Sequence, residues 1–210
     1  MRLNRPLFIA LDGIDGCGKS TQVKLLADFF ERSGAKISVT KEPGGTKVGS
    51  ILRDILISKK YHIDHITEML LYAADRNEHQ KHVVIPMLQN GVSVITDRFL
   101  SSTYAYQIFG RKLNKDILDT LSQITVTRYP DFTFILDIDP KIALSRAKKR
   151  LENTGTFEDE GKFESLDISF FENVREGFLW YAHTFKDCHI IDANKPPKEV
   201  HKEIADILSL

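Results

Sequence analysis

The sequence predicts an α/β protein whose five strands form one parallel sheet covered by helices on both faces. Two observations carry this. Five short apolar runs rich in β-branched or aromatic residues each stop at a charge, Gly or Pro, and longer segments of helical spacing separate them, an alternation that demands crossovers and a buried sheet. A chain of 210 residues that is 42% hydrophobic is also long enough for one sizeable core.

In chain order, the first run is LFIALDG, residues 7–13, followed by helical spacing over 19–32. KISVTKEP, residues 36–43, is the second strand, and helices follow over 47–58 and 64–90. GVSVITDR, residues 91–98, precedes helical spacing over 100–126. DFTFILDID, residues 131–139, leads into a helix over 140–151, with Asp139 as N-cap and Pro140 in the first turn. Helical spacing over 165–186 and 196–209 brackets the last strand, CHIID, residues 188–192. Residues 151–164, LENTGTFEDEGKFE, break the apolar rhythm, offer few core candidates and read as a mobile loop. No internal repeat or Pro- or Ser-rich linker interrupts the chain, so one domain over residues 1–210 is expected.

Charge and cysteine usage narrow the function classes. Lys plus Arg and Asp plus Glu each number 29, so the basic excess that draws proteins to nucleic acid or acidic membranes is missing. An anionic ligand would have to be held by local charge. The first apolar run meets Asp12 after five residues, too soon for a signal-peptide core or a spanning helix. Cys17 and Cys188 give no disulfide framework, which fits a reduced cytoplasm.

The strongest local signal lies at the end of the first strand. Gly13-Ile14-Asp15-Gly16-Cys17-Gly18-Lys19-Ser20 fits the pattern G-x-x-x-x-G-K-[ST] between a strand and a helix. Such glycines let backbone N–H groups turn inward around phosphate oxygens, and the helix N-terminus adds partial positive charge. Lys19 would reach the β- and γ-phosphates of a nucleoside triphosphate, and Ser20 would hold Mg²⁺. Asp97-Arg98 emerges at the C-terminal edge of a strand, where ligands of open α/β sheets sit. Asp97 could serve the Mg²⁺ shell and Arg98 a second phosphate, or the two could cap the next helix. Tyr72 and Arg76 share a helix face and could stack on a base and bond its edge, although alone they read more readily as an ordinary surface pair. Arg146, Lys148, Lys149 and Arg150 crowd one helix end. By itself that is a solvated face, but beside a phosphate loop it could supply a mobile arginine to phosphoryl transfer.

The ordered set GIDGCGKSTQ, TKEPGGT, LLYAADRNEH, DRFLSSTYAYQ and LDIDPKIALSRA resembles the thymidylate kinase family over essentially the whole chain. That resemblance implies a P-loop nucleoside monophosphate kinase fold, with ATP bound by Gly13, Ile14, Asp15, Gly16, Cys17, Gly18, Lys19, Ser20 and Thr21, and Mg²⁺ by Ser20 and Asp97. It implies a dTMP site made of Asp15, Glu42, Pro43, Arg53, Tyr72, Arg76, Arg98, Ser102, Thr103 and Tyr106. Asp15 would meet the sugar 3′-hydroxyl, Arg98 and Arg53 the monophosphate, Tyr72 the face of thymine, Arg76 its O4 and Thr103 its N3, while Tyr106 would exclude a ribose 2′-hydroxyl. Lys19, Arg98, Asp15 and two lid arginines, Arg146 and Arg150, would carry catalysis, with the lid at about 146–164. One branch of the family has an arginine in the phosphate loop where this chain has Gly16, so the bacterial branch is implied. Lys41 stands where the family has arginine, and Gly161-Lys162 where it has an acidic residue and arginine. The resemblance also implies a homodimer.

The implied reaction is ATP plus dTMP giving ADP plus dTDP, and it needs no general base, because a phosphate monoester is already anionic near neutral pH. Two other readings remain at this level. One is a broader pyrimidine nucleoside monophosphate kinase. The other is a P-loop switch protein, against which Pro197 stands where a guanine-reading N-K-x-D motif starting at Asn194 would place its aspartate.

Overall fold

The computed structural model describes residues 5–155, 162–163 and 165–209. Its strands, β1 (Phe8–Asp12), β2 (Ile37–Lys41), β3 (Ser93–Asp97), β4 (Phe132–Asp137) and β5 (Cys188–Asp192), form a parallel sheet in the order β2-β3-β1-β4-β5. All five expected strands form. Central β1 is buried along its whole length, whereas the edge strands β2 and β5 are partly exposed. The pleat divides β1 between two cores: Ile9 and Leu11 join Leu26, Phe30, Phe134 and Phe178 on one side, and Phe8 and Ala10 join Met69, Val94 and Phe99 on the other.

The helices are α1 (Lys19–Arg32), α2 (Lys47–Ile57), α3 (His65–His79), α4 (Ile85–Gln89), α5 (Leu100–Thr103), α6 (Lys115–Thr125), α7 (Pro140–Thr154), α8 (Ile168–Thr184) and α9 (Pro197–Ile207). Helical spacing over 64–90 and 100–126 proves discontinuous. A wide π-helical turn, Gln80–Val84, joins α3 to α4, and another, Tyr104–Gly110, follows α5 before the chain breaks ahead of α6. The second turn lies against Gly177 of α8, where a Cβ would come within 2.7 Å of the Ala105 Cα. That close approach fixes α8 against the segment carrying Tyr106 and Gln107.

The expectation for residues 151–164 needs correction. Helix α7 runs on to Thr154, because Ala143, Ala147 and Leu151 recur every fourth residue and bury one continuous face. Phe163 is also buried, packed edge-to-face on Tyr106 with ring centroids 5.4 Å apart. Residues 156–161 and 164, including Gly161 of the lid, lie outside the described residues. Asp139 does cap α7, accepting the Lys141 N–H at 2.8 Å.

Candidate active site

Two hollows open side by side at the C-terminal edge of the sheet. The larger is floored by the loop between β1 and α1. Gly13, Gly16 and Gly18 have φ of +135°, +85° and +103°, a left-handed series that turns the backbone into a cradle ending at the N-terminus of α1. Lys19 is buried, and its Nζ donates to the Gly13 and Ile14 carbonyls at 3.0 and 3.1 Å. Those bonds hold the ammonium on the loop. Cys17 is buried with its Sγ 3.8 Å from that ammonium, and burial raises the thiol's pKa. Ser20, Thr21, Lys41, Asp97, Arg146 and Arg150 also line this hollow. Its far wall is the β5–α9 connection, Ala193, Lys195 and Pro197, which no sequence motif had placed at the site. Gln22 fixes that wall by donating to the Pro197 carbonyl at 2.9 Å. Asn194 bonds back to Asp192 at 2.8 Å, so it is tied within its own turn.

Helix α7 sits directly on the loop. A Cβ built at Gly16 would lie 2.0 Å from the Ala143 carbonyl oxygen and 3.1 Å from the Ala147 nitrogen. The absence of a side chain at residue 16 therefore lets the helix carrying Arg146 and Arg150 approach the phosphate cradle.

Between the hollows stands Arg98, in the left-handed region at φ 74°, a conformation held by its surroundings rather than by preference. Its Nη1 donates to the Gly13 carbonyl at 3.1 Å and to Ser102 Oγ at 2.7 Å, and its Nη2 to Asp15 Oδ1 at 2.8 Å. The guanidinium also lies 5.1 Å from the Tyr106 ring centroid, and the Tyr106 hydroxyl donates to Asp15 Oδ2 at 3.0 Å. Burial works to raise the Asp15 pKa, but Arg98 and Lys19 outweigh it and hold the carboxyl well below the usual range. For Arg98, burial opposes the charge while Asp15, Tyr106 and Asp12 raise its pKa further, so it stays protonated.

Asp12 was not singled out from the sequence, yet it organises this centre. Fully buried, it accepts the Phe99 N–H at 3.0 Å and the Ser101 and Ser102 hydroxyls, tying the chain after Arg98 to the end of β1. Burial raises its pKa against the opposing pull of Arg98 and the two hydroxyls.

The smaller hollow gathers the expected acceptor residues Asp15, Glu42, Pro43, Arg53, Tyr72, Arg76, Arg98, Ser102, Thr103 and Tyr106, together with Phe99, Gln107, Arg150, Leu151 and Phe163. Arg76 is no surface residue: 2% exposed, it is among the most buried large side chains. Its Nε donates to Glu42 Oε2 at 3.0 Å and its Nη2 to Thr103 Oγ1 at 2.8 Å, while buried Nη1 has no hydrogen-bond partner among the described residues. Glu42 also pairs with the fully buried His79, whose Nδ1 lies 2.8 Å from Oε1. Burial, then Glu42, raises the pKa of neighbouring Asp75 to about 6, against the Gly44 N–H, His79 and Arg76, which favour its charge. Tyr72 is likewise pushed up by burial. Arg53 donates to the Pro43 carbonyl at 3.2 Å.

A parallel sheet with a phosphate cradle on its first strand, facing a second cationic pocket across Arg98, defines a P-loop protein of the nucleoside monophosphate kinase type. The thymidylate kinase family model matches residues 11–204. A thymidylate kinase of Maridesulfovibrio salexigens is 41% identical over 94% of this chain and 93% of that protein. One from Wolbachia pipientis wMel is 40% identical over 95% of this chain and 98% of its own length. The crystal structure of thymidylate kinase from Ehrlichia chaffeensis superimposes with a TM-score of 0.78 at 32% identity, covering 98% of this chain and all of that one. The chain belongs to the thymidylate kinase family.

Proposed function

We propose that the protein transfers the γ-phosphoryl group of ATP to the phosphate of dTMP, giving dTDP and ADP. Family membership supports the reaction, and one observation carries the geometry: Asp15, Glu42, Arg53, Arg98, Arg150 and Leu151 line both hollows. Two anions brought from opposite sides would meet along a wall that holds three arginines. An acceptor phosphate oxygen attacks the γ-phosphorus in line while the bond to the β-γ bridging oxygen breaks, and no base is needed. What the chain must do is offset charge repulsion and hold the reactants aligned. Lys19 faces the donor, Arg98 and Arg53 the acceptor, and Arg146 and Arg150 the transferring group. Leu151 and Phe163 help exclude water. Ser20 and Asp97 border one groove and offer hard oxygen donors, a set that suits Mg²⁺, which would be held there and would neutralise charge between the β- and γ-phosphates.

In the acceptor pocket, the unpartnered Arg76 Nη1 supports a bond to thymine O4. Thr103 Oγ1 accepts from Arg76 and keeps a second lone pair for thymine N3–H. Tyr72 supplies the stacking face, Asp15 the partner for the 3′-hydroxyl, and Tyr106 the barrier to a 2′-hydroxyl. We further propose that the chain is one domain, that its lid spans about 146–164, and that it works in the cytoplasm without nucleic acid. Val48, Ile51 and Leu70 leave apolar surface on α2 and α3, which supports a homodimer testable by light scattering.

Phosphate transfer to a panel of nucleoside monophosphates tests the reading. A pocket that only loses a methyl contact discriminates by about 1–3 kcal/mol, so dUMP is expected as a poorer but real substrate. For dCMP, the 4-amino donor would face the Arg76 donors, and the rate should fall much further. Purine monophosphates should not react. Comparable kcat/KM for dCMP and dTMP would make this a broader pyrimidine nucleotide kinase, and transfer to none of them would favour a switch.

A further inference from the structure

Glu68 of α3 is a fully buried carboxylate that lines neither hollow, yet it draws three donors from two separate parts of the chain. Gln107 Nε2 donates to its Oε1 at 2.9 Å, and Arg111 reaches both oxygens at 3.2 Å. Lys162 Nζ donates to Oε2 at 3.0 Å and also to the Leu56 carbonyl at 3.2 Å, at the end of α2. Burial works to raise the Glu68 pKa, but Arg111, Gln107 and Lys162 lower it overall, so the carboxylate keeps its charge. Unlike at a surface ion pair, losing Lys162 here takes one of the charged donors from a fully buried carboxylate, leaving Arg111 as its remaining cation.

The residue after Lys162 explains what the cluster holds. Phe163 is buried in the acceptor pocket, with its ring edge-to-face on Tyr106, and the Arg111 guanidinium lies 5.4 Å from its centroid. Tyr106 in turn contacts Asp15 and Arg98. A continuous path of contacts therefore runs from Glu68 through Lys162 and Phe163 to the residues proposed to meet the sugar and acceptor phosphate. We infer that Glu68 and Lys162 form a latch that seats Phe163 over the acceptor pocket, making both of them positioning residues for the nucleoside monophosphate. The inference rests on reading that pocket as the acceptor site. It also gives Lys162, where the family pattern has arginine, a defined role, since a primary ammonium here serves one carboxylate and one carbonyl and needs no planar fork.

Two readouts on Lys162→Met, Lys162→Arg and Glu68→Gln test the latch. Methionine keeps the aliphatic stem and removes the donor. Loss of one charge-assisted bond to a buried carboxylate shifts the seated population about tenfold, so Lys162→Met should raise KM for dTMP by about that factor, with KM for ATP unchanged. Lys162→Arg should restore it. Glu68→Gln combined with Lys162→Met should lower kcat/KM for dTMP by less than the product of the single effects, since both remove the same bond. The second readout needs no substrate: chymotryptic cleavage after Phe163, followed by mass spectrometry, should accelerate about tenfold in Lys162→Met and return to the parent rate in Lys162→Arg. It keeps the latch testable if the acceptor proves not to be dTMP, and through Lys162→Met it does so if Glu68→Gln fails to fold. Parent-like cleavage of Lys162→Met, or a KM rise shared equally by ATP and dTMP, would overturn the latch.

Discussion

The donor and acceptor sides of the cleft are built from different materials. On the donor side the cradle is one short loop, shaped by three left-handed glycines and carrying Lys19, with Lys41, Arg146 and Arg150 around it. On the acceptor side the ligand-facing groups are side chains from the segment after β2, from α2, α3, the β3–α5 connection, α5, the π-helical turn that follows it, and α7, held by ion pairs such as the buried Arg76 with Glu42 and the partly buried Arg98 with Asp15. A backbone site is specified locally and reads any phosphate. A site of converging side chains is specified by tertiary contacts, and so it can tell one base from another.

The largest effect that would sharpen this contrast is at the donor loop. Lys19→Ala should lower kcat by about 10³ or more, since it removes charge at the transferring phosphate, while thermal unfolding stays near that of the parent. Turnover close to the parent's would remove Lys19 from the mechanism. The shared wall comes next. Arg150→Ala or Arg146→Ala should lower kcat more than it raises either KM, with a loss on the order of 10³ for a full arginine-finger role. If both lose less than about tenfold, the transferring group is served from elsewhere.

The smallest effect lies in the acceptor side's buried charge. Asp75 has a folded pKa of about 6, above its ordinary value of 3.8. Between those pH values the folded state binds a proton that the unfolded chain has lost, so this group's contribution falls as pH rises through the window. Above it, the ionised carboxylate weakens the fold. Asp75→Asn, whose amide oxygen can still accept the Gly44 N–H, should therefore raise stability near pH 7.5 by roughly 1–3 kcal/mol and flatten the pH 4–6 slope in denaturant titrations. A parent slope that persists in the variant would assign the pH dependence to another group.

The same contrast explains what the sequence disclosed. The phosphate loop is eight consecutive residues with a mechanism attached to each, and the sheet follows from apolar runs whose limits are local. Tyr72 and Arg76 were visible as a pair at helical spacing, but not that Arg76 would be buried, because its partners Glu42 and Thr103 are 34 and 27 residues away. Glu68 escaped for the same reason: Gln107 and Lys162 lie 39 and 94 residues from it. Asp12 ends an apolar run, where a charge looks like mere punctuation until Ser101 and Ser102 arrive beside it. The buried role of Leu151 was legible in the Ala143, Ala147, Leu151 spacing, and the polar residues after it hid that signal.

The contact of Gly16 with the α7 backbone also bears on how such a protein can change over generations. An arginine at residue 16 would drive its Cβ into the Ala143 carbonyl and lift off the helix that carries Arg146 and Arg150. The first mutational step toward a loop arginine thus removes the existing pair before the newcomer has a partner geometry to work in. The barrier sits at one α-carbon, so in this chain any side chain at residue 16 would have to displace the backbone of the helix that carries the two arginines.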